Sequence, residues 1–164
     1  MNIQNLNCLI DLHLHLDGSL PLHTVKELAA QQGITLQMTD GELKKKLSVP
    51  AGCRDLNEYL TKFEFPLTLM QTPEALEKCM HDLLTELEGQ GVQYCEVRFA
   101  PQLHTQKGMS QNEVIEAVKA GLYSVAGVKP ESIHAGIILC CMRGSDNGQQ
   151  NKITVEEAAR HLGS

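Results

Sequence analysis

An α/β fold built on a short parallel sheet is the architecture this sequence predicts, and three observations lead there. Three apolar runs have strand length: Leu9 to Leu16, Val92 to Ala100 and Ile133 to Met142. Helical patterns lie between them and after the last, and strands separated by helices pair in parallel through crossovers. The composition is that of a folded chain: of 164 residues, 42% are hydrophobic and 21% charged, enough apolar surface to bury a core.

The order is strand, several helices, strand, helix, strand, helix. Leu22, Val25, Leu28 and Ala29 follow helical spacing, with Gly33 as the stop. Asp55 to Met70 carries Leu56, Tyr59, Leu60 and Phe63 at i, i+3, i+4 and i+7, and Pro66 is expected to kink or end that helix. Thr72-Pro73 opens the next one, which shows a single apolar stripe through Leu76, Cys79, Met80, Leu83, Leu84 and Leu87. Ser110 and Glu113 form a capping box ahead of Val114, Val118, Leu122 and Val125, and Thr154 with Glu157 starts a last helix. The stretch 17–91 between the first two strands is too long for a simple crossover and reads as a helical cap insertion. A three-stranded parallel sheet is a poor end point, so residues 1–164 read as part of a larger domain.

Charge and cysteine usage exclude several classes. A formal net charge of −6 argues against a nucleic-acid binder. No apolar run approaches the ~18 residues of a membrane span. Met1 to Asn7 carries no Lys or Arg ahead of the apolar stretch, so no secretory signal is expected and a cytoplasmic location follows. The six cysteines contain no Cys-x-x-Cys pair, and most are expected to fill core positions as thiols.

The first strand carries the chemistry. Alternation places Asp11, His13, His15 and Asp17 on one face, and Ile10, Leu12, Leu14 and Leu16 on the other, which is expected to be buried against helices. Two imidazoles at i and i+2 converge near one point, and neutral imidazole suits zinc. A bare His-x-His is also an ordinary solvent-facing strand pattern, and a catalytic zinc takes three protein ligands. His23 and His81 fall on helix surfaces, His161 near the last residues, and His104 after the second strand. His134 starts the third strand, the wrong end for a site at strand C-termini.

His13-Leu14-His15-Leu16-Asp17-Gly18-Ser19 resembles the first metal-binding motif of the adenosine deaminase family. Leu56-x-x-Tyr59-Leu60-x-Lys62-Phe63 resembles that family's cap helix, Tyr94 to Pro101 its second strand, and Ile138 to Arg143 its third. The resemblance implies a TIM (β/α)8 barrel, of which this chain would be the N-terminal part, about three β/α units with the cap after strand 1. It implies one Zn2+ ion held in part by His13 and His15. It implies substrate binding by His15 and Asp17, with Leu56, Tyr59, Leu60 and Phe63 as an apolar wall over the purine. Asp17 favours a nucleoside over a free base, because the related adenine deaminases usually carry Glu there. Glu96 and Arg98 share a strand face and are expected to pair as an interior ion pair.

One departure matters. The family's third zinc histidine and its general-acid glutamate belong to a His-Ala-Gly-Glu motif on a later strand, whereas His134-Ala135-Gly136 here continues with Ile137 and precedes the third-strand motif. No catalytic acid is therefore assigned in this chain. The expected function is hydrolytic deamination of adenosine or deoxyadenosine to inosine and ammonia as part of a complete enzyme, the chain alone being inactive. Its partners would be an adenosine-type nucleoside and the missing barrel half, in the same or another chain, with neither nucleic acid nor membrane. The alternatives are a non-catalytic part-barrel assembly module and another His-x-His metal hydrolase.

Overall fold

The computed structural model describes residues 8–129 and 131–163; the reading of Met1 to Asn7 lies outside them. Three strands, β1 (Leu9–His15), β2 (Val92–Phe99) and β3 (His134–Leu139), form one parallel sheet in the order β1-β2-β3. Four helices separate the first two strands: α1 (Leu22–Gln31), α2 (Asp40–Leu47), α3 (Leu56–Leu69) and α4 (Pro73–Gly89). Helix α5 (Gln111–Tyr123) links β2 to β3, and α6 (Gly148–Arg160) follows β3. Short 3-10 turns at Leu16–Gly18 and Pro101–His104 leave the C-terminal ends of β1 and β2.

Local chemistry sets these boundaries. Thr72 accepts a hydrogen bond from the Ala75 amide ahead of Pro73, whose missing N–H costs nothing in a first turn. Ser110 and Glu113 close a reciprocal capping box at the start of α5. Thr39 and Glu42 do the same for α2, a helix whose Thr-x-x-Glu signal was readable in the sequence and is absent from the elements expected above.

β2 is the central strand and alternates cleanly. Cys95, Val97 and Phe99 are buried on the helix side, whereas Glu96 and Arg98 are half-buried on the other. The core lies between β2 and the helix pair α4/α5, through Leu76, Cys79, Met80 and Leu83 on one helix and Val114, Ile115 and Val118 on the other. Gly121 lets the two helices touch, since its Cα faces the Glu77 backbone and the Met80 side chain directly.

Four expectations are corrected. Ile10 and Leu12 are each 58% exposed, because β1 is an edge strand and only Leu14 and Leu16 reach the helices. Pro66 neither ends nor breaks α3, which continues to Leu69; side chains outside the helix take up the carbonyls of its last turn. Helix α6 starts at Gly148, well over one turn before Thr154. Of the six cysteines only Cys79 and Cys95 are buried, while Cys8 and Cys141 are exposed. No helix among the described residues is long and apolar enough to cross a membrane.

Candidate active site

The site is built where β1 ends. Leu14 and His15 sit beside Val97 and Arg98 in register, but one extra residue of β1 intervenes between the Asp11–Cys95 and Leu14–Val97 pairs. Such a bulge re-aims side chains and is common beside active sites. The Asp11 carboxylate accepts a hydrogen bond from the His13 amide at 2.9 Å, inside the irregular stretch. The His13 and His15 rings end up with centroids 5.4 Å apart and tilted by 45°.

Arg98 comes to the same place. One of its terminal nitrogens lies 2.9 and 2.8 Å from the two ring nitrogens of His13, donating to whichever is unprotonated. The expected pairing of Arg98 with Glu96 is not made; Glu96 instead accepts a hydrogen bond from the Tyr94 hydroxyl at 3.3 Å. Adjacent side chains on one strand face can pair, but here the bulged neighbour strand offers Arg98 a closer acceptor. Burial, then the Arg98 guanidinium and the His13 ring, hold His15 below the ordinary imidazole value. Its ring is therefore neutral at neutral pH, the form that binds metal.

Asp17 lies in the turn after β1 and is 6% exposed. The His15 ring lies 4.0 Å from one of its carboxylate oxygens, and that oxygen is buried with no hydrogen-bond partner. Burial pushes its carboxyl up to about 6, offset only in part by its own backbone amide. An acceptor of this kind awaits a donor. Asp17 also lines a cavity of about 400 Å³ together with Ser19, Leu47, Tyr59, Phe63 and Pro66. Phe63 stacks edge-on against His15 with centroids 5.8 Å apart and touches Tyr59 at 5.3 Å.

Of the four expected wall residues, Tyr59 and Phe63 meet Asp17 at this cavity, whereas Leu56 and Leu60 do not line it and stand 67% and 49% exposed. Gly18 belongs to the motif quoted above, but its packing against Phe63 does not show in the sequence. A Cβ there would meet the Phe63 ring at 2.7 Å, so glycine lets α3 settle on the turn. Arg98 was missed as a neighbour of the histidines, because its position depends on strand register.

His104 does not join the histidine pair; it is fully buried elsewhere, and its Nδ1 donates to the Met70 carbonyl at 3.0 Å. His134 starts β3 on the exposed surface. Among the described residues no group of three or more His, Cys, Asp or Glu side chains is placed to hold a metal. The donor chemistry thus fits two positions of a zinc ligand set.

Comparison with known proteins agrees with the reading of the motifs. A family model described as adenosine deaminase matches residues 8–163. The chain is 48% identical to an adenosine deaminase of Haemophilus ducreyi over 155 residues, covering 93% of this chain and 44% of that protein. It is 40% identical to one from Enterococcus faecalis over 144 residues, covering 88% and 42%. Among solved structures, Arabidopsis ADAL complexed with GMP superposes with a TM-score of 0.67 at 22% identity, over 93% of this chain and 46% of that one. The chain thus spans less than half the length of these relatives, and its three β/α units are the first part of a (β/α)8 barrel. Motifs, fold and relatives agree that the chain belongs to the adenosine deaminase family.

Proposed function

We propose that this chain supplies the histidine pair, the ribose contact and the cap of an enzyme that hydrolytically converts adenosine or deoxyadenosine to inosine and ammonia. The observation that carries the reading is the 48% identity to a protein named adenosine deaminase across 93% of the chain. The site supports it by bringing His13, His15 and Asp17 to the exit of one strand beneath Tyr59 and Phe63.

In this reading His13 and His15 are two of the ligands of a zinc ion. That ion, when bound, supplies a water acidic enough to attack at neutral pH. A solved amidohydrolase of the same fold, at 17% identity and a TM-score of 0.62, carries zinc. Asp17 accepts a hydrogen bond from a ribose hydroxyl, which satisfies its buried oxygen and selects a nucleoside over a free base. Phe63 and Tyr59, with Leu56 and Leu60 once they are covered, form the apolar wall over the purine and exclude water from it. The remaining ligands and the general acid come from the rest of the barrel, which also covers the outer edge of β1.

Two results are expected. In the complete enzyme, Asp17→Ala lowers kcat/KM for adenosine by about 10- to 150-fold, the loss of a charged hydrogen bond worth roughly 1.5–3 kcal/mol, while the melting temperature holds or rises. Equal losses of stability and activity would assign Asp17 to the turn instead. The 164-residue chain alone, dialysed and analysed for metal, should hold well under one zinc per molecule, since two imidazoles leave the ion under-coordinated and Arg98 places a positive charge against one of them. Stoichiometric zinc would show that a third ligand lies within this chain. Failure of the complete enzyme to release ammonia from adenosine would overturn the functional reading.

A further inference from the structure

The last turn of any α-helix leaves carbonyls without intrahelical partners. At the end of α3, two carbonyls of the last turn and that of Met70, the residue after it, are taken by side chains that the site does not use. Gln32, just past α1, donates to the Leu69 carbonyl at 2.8 Å. Gln71 donates to the Leu67 carbonyl at 2.8 Å and to the Leu103 carbonyl at 2.9 Å, and its own oxygen accepts from the Gln106 amide at 3.0 Å. His104, in the turn leaving β2, donates to the Met70 carbonyl. Gln71 is 2% and His104 0% exposed.

The two ends of α3 therefore differ. The root is tied to α1 and to the turn after β2 by one buried and several part-buried hydrogen bonds. Toward its N-terminus, Leu56 and Leu60 stand in solvent. Pro66 separates these parts, and its missing N–H leaves the helix one bond short there. Tyr59 and Phe63, which reach the cavity beside Asp17, lie beyond Pro66 from the root.

We propose that Gln71 and His104 are positioning residues: by fixing the root of α3 to the turn that leaves β2, they set where Phe63 and Tyr59 stand over the Asp17 cavity. Because that turn begins three residues after Arg98, the strand that flanks His15 and the helix that carries Phe63 share one anchor. His104 suits a permanent tie. Burial lowers it to about 4, so its ring stays neutral and its Nδ1–H stays a donor throughout the physiological range. Where the role touches substrate, it rests on the functional reading above; the mechanical claim does not.

The test is amide hydrogen exchange across α3, with α4 and α5 as internal references. Gln71→Ala and His104→Leu should each speed exchange over residues 56–65 by about tenfold while α4 and α5 stay within about twofold. His104→Asn, whose amide nitrogen can stand where Nδ1 does, should restore most of the protection. Gln32→Ala removes one tie at a half-buried position and should give a smaller effect of the same pattern, which keeps the test open if His104→Leu does not fold. In the complete enzyme the same variants should raise KM for adenosine and leave kcat nearly unchanged. Acceleration spread evenly over α3, α4 and α5, or none in α3, would overturn the proposal. A wild-type enzyme inert toward adenosine would sink the functional reading and leave the exchange pattern to decide this one.

Discussion

Replacing Gly121 with alanine should destabilise the protein by about 3 kcal/mol, although alanine is the better helix former. In an open helix the exchange gains roughly 1 kcal/mol. Here the added Cβ would run into the Glu77 carbonyl and come within 2.9 Å of the Met80 Cβ. Neither neighbour is a flexible tip: one is backbone, and the other is anchored in the fully buried stripe of α4. Relief requires α5 to move off α4, which opens the packing of Leu76, Cys79 and Met80 against Val114 and Val118. Gly89→Ala is the matched control, because nothing lies within 4 Å of its missing Cβ. Urea midpoints should fall sharply for Gly121→Ala and stay level or rise for Gly89→Ala. A stabilised Gly121→Ala would show that the helices are further apart than described.

A second large effect is expected at Asp82, which joins α1 to α4. Its carboxylate accepts hydrogen bonds from Thr24 at 2.7 Å and from Lys78 at 2.8 Å, with His23 at 3.6 Å. Asp82→Ala leaves the fully buried Thr24 hydroxyl without its acceptor and Lys78 with Glu27 alone, a loss of about 2–3 kcal/mol at neutral pH. Burial pushes the Asp82 carboxyl up, but the hydrogen bonds and charge of Lys78 and the Thr24 hydroxyl outweigh it, so the net value lies below the usual carboxylate range. A depressed carboxylate contributes stability that is present above its unfolded value near 3.8 and is lost as pH falls through the lower folded one. The gap between wild type and Asp82→Ala should therefore be full from pH 5 to 7 and narrow on acidification below about 4. A gap that widened in acid would contradict the ion-pair account.

Much of this could be read from residue order, and the failures share a cause. Strand β2, the stripe of α4 and the caps at Thr72 and Ser110 are local patterns, and each forms where the sequence places it. The exposure of Ile10 and Leu12 depends on what stands beside β1, which no local pattern encodes. The bulge before Leu14, and with it the approach of Arg98 to His13, depends on register between segments 85 positions apart. At the site, a motif identifies which side chains converge, as for His13, His15 and Asp17. It cannot show that Leu56 and Leu60 point into solvent while Tyr59 and Phe63, one helical turn along, face the cavity. The persistence of α3 past Pro66 has the same origin, since Gln32, Gln71 and His104 come from three other segments.

The outer edge of β1 has a consequence for handling the protein. Among the described residues nothing pairs with it, and Ile10 and Leu12 project beside it with Asp11 as the single formal charge between Leu9 and Leu14. An extended, apolar, nearly uncharged edge is a template for cross-β stacking, and natural edge strands usually blunt it with lysine, proline or a twist. The bulge supplies some twist. The remaining safeguard must be speed of covering: whatever seals this edge has to arrive before a second copy does, so aggregation of the uncovered chain should rise steeply with protein concentration.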